Sequence, residues 1–127
     1  MAIAVTTMMG TVVGAVPARA AASDCPANYF CLFQWVNAGG GRWQINPDTA
    51  AKDSCWNFSN STYTTGQVVN NTSASIVNKA GSNYTIYFYD WINCNNSGDV
   101  TAYVLSRPFD VPNLGNWYHR FTSFSIA

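Results

Sequence analysis

Phe30-Cys31-Leu32-Phe33-Gln34 and Ile86-Tyr87-Phe88-Tyr89-Asp90 are two runs of aromatic and branched residues that can be laid one upon the other. Period-two patterning of this kind, between clusters of turn residues, predicts β-strands. Each run is followed within a few residues by a flexible cluster, Gly39-Gly40-Gly41 in one case and Asn95-Asn96-Ser97-Gly98 in the other. Such residues tolerate positive φ, so a chain reversal is expected at both places. The echo extends to the ends of the repeats, where Ser75-Ile76-Val77 answers Ser123-Phe124-Ser125-Ile126. Two halves of about 50 residues follow, and an antiparallel half of that size cannot bury its apolar face alone, so the two are expected to pack as a sandwich.

Working outward, strands are predicted over residues 29–34, 42–45, 75–78, 85–89, 100–105 and 121–126. No amphipathic helical run appears after Tyr29, so the fold class is all-β. Pro108 and Pro112 predict a loop before the last strand, since proline lacks the donor a central strand needs. Asp48, Asp53, Asp99 and Asp110 read as turn residues that bond their own backbone.

The chain has 127 residues, enough for one domain. Its first 22 residues are small and apolar up to Pro17, and Ala18-Arg19-Ala20 offers a small-x-small cleavage signal, although no Lys or Arg precedes the apolar run. Residues 1–22 are therefore expected to be an export leader and 23–127 a single secreted, extracellular domain. The apolar run is shorter than the ~20 residues of a spanning helix, which argues against a membrane anchor. Cleavage after Ala20 removes Arg19 and leaves five basic side chains against six Asp, with no basic cluster, so neither nucleic acid nor an anionic membrane is an expected partner.

Four cysteines in a small exported domain predict two disulfides. Three pairings are open. In one, Cys25 and Cys31 close a tight loop and Cys55 pairs with Cys94. Zinc is the sharper alternative for four thiols, but no Cys-x-x-Cys occurs and the single His119 is remote in sequence.

Catalytic chemistry has little to stand on. His119 lies in Trp117-Tyr118-His119-Arg120 with no Gly-x-Ser-x-Gly elbow anywhere, and six scattered Asp define no acid-base pair. No enzyme and no organic cofactor is expected. Nineteen Trp, Tyr and Phe (5, 7 and 7) make a heavy aromatic load, mostly for the core. Trp35, Trp91 and Trp117 fall near predicted turns, where an exposed ring beside Asn could stack on a sugar or anchor a protein.

Two aromatic-rich repeats, each with a strand, a Gly hairpin and a closing Ser segment, resemble the βγ-crystallin domain. Its hairpin signature is an aromatic, four residues, a second aromatic, one residue and a Gly. Phe33 and Gly40 fit with Ala38 at the second aromatic; Tyr89 fits with Cys94 and Asn96 at the other two positions. The opening Cys25-Pro26-Ala27-Asn28-Tyr29-Phe30-Cys31 is similar to the start of bacterial peptidase inhibitors of family I36, which share that fold. The resemblance implies a βγ-crystallin-like sandwich of two Greek keys, stapled by Cys25 with Cys31 and Cys55 with Cys94. It also implies an actinobacterial source and an inhibitor of an extracellular peptidase, with metalloproteases first in view; a monomer is expected.

The family's inhibitory segment sits on a second short disulfide loop, which this chain lacks. The expected partner-contact loops are the 93–99 turn, with Asn93, Asn95, Asn96 and Asp99, and the 108–117 loop, with Phe109 and Trp117. Calcium-binding βγ-crystallin domains use two Asn or Asp, two variable residues, Ser or Thr, then Ser. Asn70-Asn71-Thr72-Ser73-Ala74-Ser75 is a degenerate copy that keeps Asn70, Asn71 and Ser75, and Tyr118-His119-Arg120-Phe121-Thr122-Ser123 has lost the amide pair. Without a carboxylate, calcium binding is expected to be weak or absent. The competing functions are a polysaccharide- or cell-wall-binding module and a structural or stress protein.

Overall fold

The computed structural model describes residues 21–50, 52–81, 84–95, 103–105 and 110–127. Among the described residues, eight strands form two four-stranded antiparallel sheets: β1 (Phe30–Trp35), β2 (Gly39–Ile45), β3 (Cys55–Asn57), β4 (Ser75–Asn78), β5 (Ile86–Tyr89), β6 (Tyr103–Leu105), β7 (Asp110–Val111) and β8 (Ser123–Ile126). The first sheet runs β2-β1-β4-β7 and the second β3-β8-β5-β6. The repeat is therefore real, with β1 to β4 matching β5 to β8. It is also interlocked, because each half lends its third strand to the other half's sheet. The sequence predicted two halves packed face to face; the exchange of β3 and β7 is what the structure adds.

Alternation in β1 sends Phe30 and Leu32 inward and Cys31 and Phe33 outward. The inner side chains meet those of β5 and β8 in one aromatic core. Phe88 stacks on Phe121 with centroids 4.4 Å apart, and Phe58 stacks on Phe124 at 5.0 Å. All four outward-inward positions of β1 from Phe30 to Phe33 are buried, because the chain before β1 covers the outer face of its sheet. That cover is pinned by Cys25–Cys31 and by the Asn28 N–H to the Lys79 carbonyl at 3.1 Å.

Strand 75–78 is found as predicted, and the others differ in detail. Residues 100–102 and Pro108 of the predicted strand and loop lie outside the described residues. Two short strands were not predicted. The Cys55–Asn57 strand is three residues of no clear alternation, and its place comes from pairing with β8, where Trp56 stacks on Phe124 at 5.2 Å. Asp110, expected in a turn, opens β7 and pairs with Val77, so the loop before the last strand is interrupted by a sheet edge.

The Gly39-Gly40-Gly41 cluster was expected to be the reversal itself. The reversal instead falls at residues 36–38, with Asn37 and Ala38 at φ 55 and 56, and the glycines begin β2. Gly40 has φ +71, and a Cβ on Gly41 would lie 2.6 Å from Tyr63 Cβ. These two positions need glycine for conformation and for close approach, respectively.

Candidate functional site

The pseudo-twofold relation places two equivalent tips on the domain, one after β1 and one after β5. In the second, Asn93 and Cys94 adopt φ 57 and 52, matching Asn37 and Ala38 in the first. Left-handed backbone is costly for a residue with a Cβ. Something must hold it, and in each tip a buried serine does. Ser75 Oγ accepts from the Ala38 N–H (3.0 Å) and donates to the Trp35 carbonyl (2.6 Å). Ser123 Oγ accepts from the Cys94 N–H (3.0 Å) and donates to the Trp91 carbonyl. The two closing serines legible in the sequence are thus the locks of the two turns.

The second tip carries further restraints. Cys94 is bonded to Cys55 of β3, with Cα atoms 5.9 Å apart. Asn57 Nδ2 donates to Asn93 Oδ1 (2.9 Å), and the Asn93 N–H donates back to Asn57 Oδ1 (2.7 Å). At its root, the Asp90 carboxylate receives Arg120 Nη2 at 2.6 Å and Nε at 2.9 Å. From this clamped turn Trp91 and Ile92 project, 53% and 56% exposed. Their counterparts Trp35 and Val36 are 50% and 39% exposed, and Trp35 packs closely against Gly39 and Gly40.

Of the sequence-predicted contact residues, Asn93 is the clamped centre of the turn and Asn95 closes it, its N–H on the Ile92 carbonyl at 3.3 Å. Asn96, Asp99 and Phe109 lie outside the described residues. Trp117 is half-buried against the core, with the Arg120 guanidinium 5.1 Å from its ring centre. Ile92 is not among the contact residues expected from the sequence, and its exposure beside Trp91 is a finding of the structure.

The degenerate calcium motif is occupied by internal bonds. Asn71 Oδ1 accepts the Thr122 hydroxyl at 2.8 Å, and Thr122 also donates to the Asp90 carbonyl at 3.1 Å. Ser75 and Ser123 serve the turns, and Ala74 offers no hydroxyl. Asn70 Oδ1 is a buried acceptor without a hydrogen-bond partner among the described residues. One neutral side-chain oxygen, in a motif without a carboxylate, is a poor match for a hard cation that takes six to eight oxygens. These residues do not fit a calcium ion.

Among the described residues, no catalytic partner stands against His119; its contacts are structural. Its ring stacks on Tyr118 with centroids 3.7 Å apart, its backbone is left-handed at φ 58, and burial pushes its pKa below the ordinary value. Among the described residues no three His, Cys, Asp or Glu side chains are grouped to hold a metal. All four cysteines are in disulfides, in the pairing Cys25–Cys31 and Cys55–Cys94. No helix among the described residues is long and apolar enough to cross a membrane.

Two Greek keys with exchanged third strands, each turn locked by a closing serine, make a βγ-crystallin-like fold. A structure solved in work on the evolution of the eye lens βγ-crystallin domain fold is similar, with 20% identity over 81% of this chain and 89% of that one and a TM-score of 0.59. A βγ-crystallin domain from Clostridium beijerinckii matches with 18% identity, 76% and 94% coverage and a TM-score of 0.55. The N-terminal domain of protein S matches at 14%, 78% and 94%, with a TM-score of 0.56. Identities this low establish the fold alone. The family follows from the sequence: the model of peptidase inhibitor family I36 matches residues 18–101, and the chain belongs to that family. It is a family of inhibitors, not of enzymes. No curated protein matches the chain.

Proposed function

We propose that this chain is a secreted inhibitor of an extracellular peptidase and that it engages its target through the 91–95 turn. The observation that carries this reading is the pairing of exposure with restraint: Trp91 and Ile92 are more than half exposed on a turn fixed by Cys55–Cys94, Asn57 and Ser123. A peptidase cleft accepts an extended or turned segment with large side chains. A segment already held in one shape loses little conformational entropy on binding, so more of its contact energy appears as affinity. Trp and a neighbouring aliphatic are suited to the buried centre of such an interface. The domain needs no calcium for this role.

The test is a titration of the oxidised, leader-free protein against thermolysin-type metalloproteases and subtilisin-type serine proteases. Stoichiometric inhibition of at least one is expected, together with its loss in Trp91→Ala/Ile92→Ala at an unchanged melting temperature. A domain that resists digestion without inhibiting any of them refutes the reading.

One observation favours a second reading. Trp35 has its ring against the Gly39–Gly40 backbone and is half exposed, the arrangement of a platform on which a sugar ring can stack. Retention on insoluble polysaccharide that disappears in Trp35→Ala would support a cell-wall-binding module.

A further inference from the structure

Ala21 and Ala22 behave as part of the folded domain. Ala22 packs against the outer-face cluster of Cys25, Cys31, Phe33, Ala38 and Val77. It also lines a shallow recess with Ala38, Val77 and Pro112. Ala21 is the cap of the turn that follows, with its carbonyl accepting the Asp24 N–H at 2.8 Å and its own nitrogen 2.7 Å from Asp24 Oδ2. The Asp24 carbonyl in turn accepts Arg42 Nη1 from β2. Cleavage after Ala22 would remove both residues from this corner. Cleavage after Ala20 satisfies the small-x-small rule with Ala18 and Ala20 and leaves the corner intact.

We propose that the leader is removed between Ala20 and Ala21, and that the amine so released becomes a structural group paired with Asp24. The step is hydrolysis of one peptide bond by an export signal peptidase with water as co-reactant. Ala20 leaves with the new carboxylate, and the Ala21 nitrogen takes up a proton to become an α-ammonium. A neutral N–H on Asp24 Oδ2 is thereby replaced by a charge-assisted bond, which is stronger than its neutral counterpart. Maturation then tightens the segment that covers the outer face of the β1 sheet. The charged groups at this corner are the Asp24 carboxylate, the Arg42 guanidinium from β2 and the Asp110 carboxylate of β7, which lines the same recess as Ala22. Arg42 opposes the new charge and Asp24 favours it, and Asp24 is in direct contact.

The full chain in detergent micelles is treated with purified bacterial signal peptidase, and the product is read by N-terminal sequencing and intact mass. A product beginning Ala21-Ala22-Ser23 is expected. A product beginning at any other residue, or no cleavage, overturns the site. On the processed protein, NMR titration of the α-amine is expected to give a pKa above the ordinary range for such a group, with a fall of at least half a unit in Asp24→Asn. Equal values in the two proteins overturn the pairing, independently of where the leader is cut and of whether the domain inhibits a peptidase.

Discussion

Replacing Ser123 by Ala removes one oxygen that serves two backbone groups of the 91–94 turn, the Cys94 N–H and the Trp91 carbonyl. Ser123 has no exposed surface, so water does not readily take the place of the hydroxyl. At about 1 kcal/mol for each lost bond, the expected destabilisation is about 2 kcal/mol. In a domain of this size that lowers the melting temperature by roughly 10 °C. The pseudo-twofold provides an internal control, because Ser75→Ala removes the same pair of bonds from the first tip. Both variants are expected to lose similar stability in chemical denaturation. Their effects on peptidase inhibition are expected to diverge. Freeing the side chains of Trp91 and Ile92 imposes an ordering cost of about 1.4 kcal/mol on binding, so Ser123→Ala should weaken inhibition about tenfold. Ser75→Ala should leave it within a factor of two. The reasoning fails if either serine can be removed for less than about 0.5 kcal/mol, which no buried two-bond lock allows. It also fails if Ser75→Ala weakens inhibition as much as Ser123→Ala.

The Cys55–Cys94 bond joins the first half's lent strand to the second half's turn across 39 residues. Cys55→Ala/Cys94→Ala is expected to cost about 4 kcal/mol in the chain-entropy account, measured by urea denaturation, and to weaken inhibition further than Ser123→Ala. Tyr63 is buried with its hydroxyl on Ser73 Oγ at 3.0 Å, and burial raises its pKa above 10. The folded state therefore holds the proton more tightly than the unfolded chain, and that contribution to stability is intact below pH 10 and lost as pH rises through the folded value. Melting curves between pH 9 and 11.5 should show a fall that is shallower in Tyr63→Phe. Millimolar calcium should leave the melting temperature unchanged, and a rise of more than about 2 °C would show a native-state ion the donor set does not account for.

The strands with strong alternation were legible because period two is a local property: β1, β4 and β5 each carry their own inward and outward faces. The closing serines and the repeat were legible for the same reason. The three-residue β3 and two-residue β7 were not, since segments so short have no period and take their conformation from the strand beside them. The sequence points to the glycines for a reversal that falls at residues 36–38, because Asn37 and Ala38 are not obligate left-handed residues. Ser75, distant by 37 residues from Ala38, supplies the bond that makes that backbone stable.

For the candidate site, the sequence determined the parts: a cysteine and an asparagine after the second aromatic strand, a tryptophan before them, and a serine closing the repeat. It determined also that the calcium motif was incomplete. Only the tertiary structure decided that these parts form one clamped turn with Ile92 beside Trp91 at its exposed edge, and that Trp117 is taken up by the core. The physical reason is that exposure and restraint belong to pairs of elements. Strand exchange brings Cys55 and Asn57 of the first half against Asn93 and Cys94 of the second, and no local pattern in either half records where the other will lie.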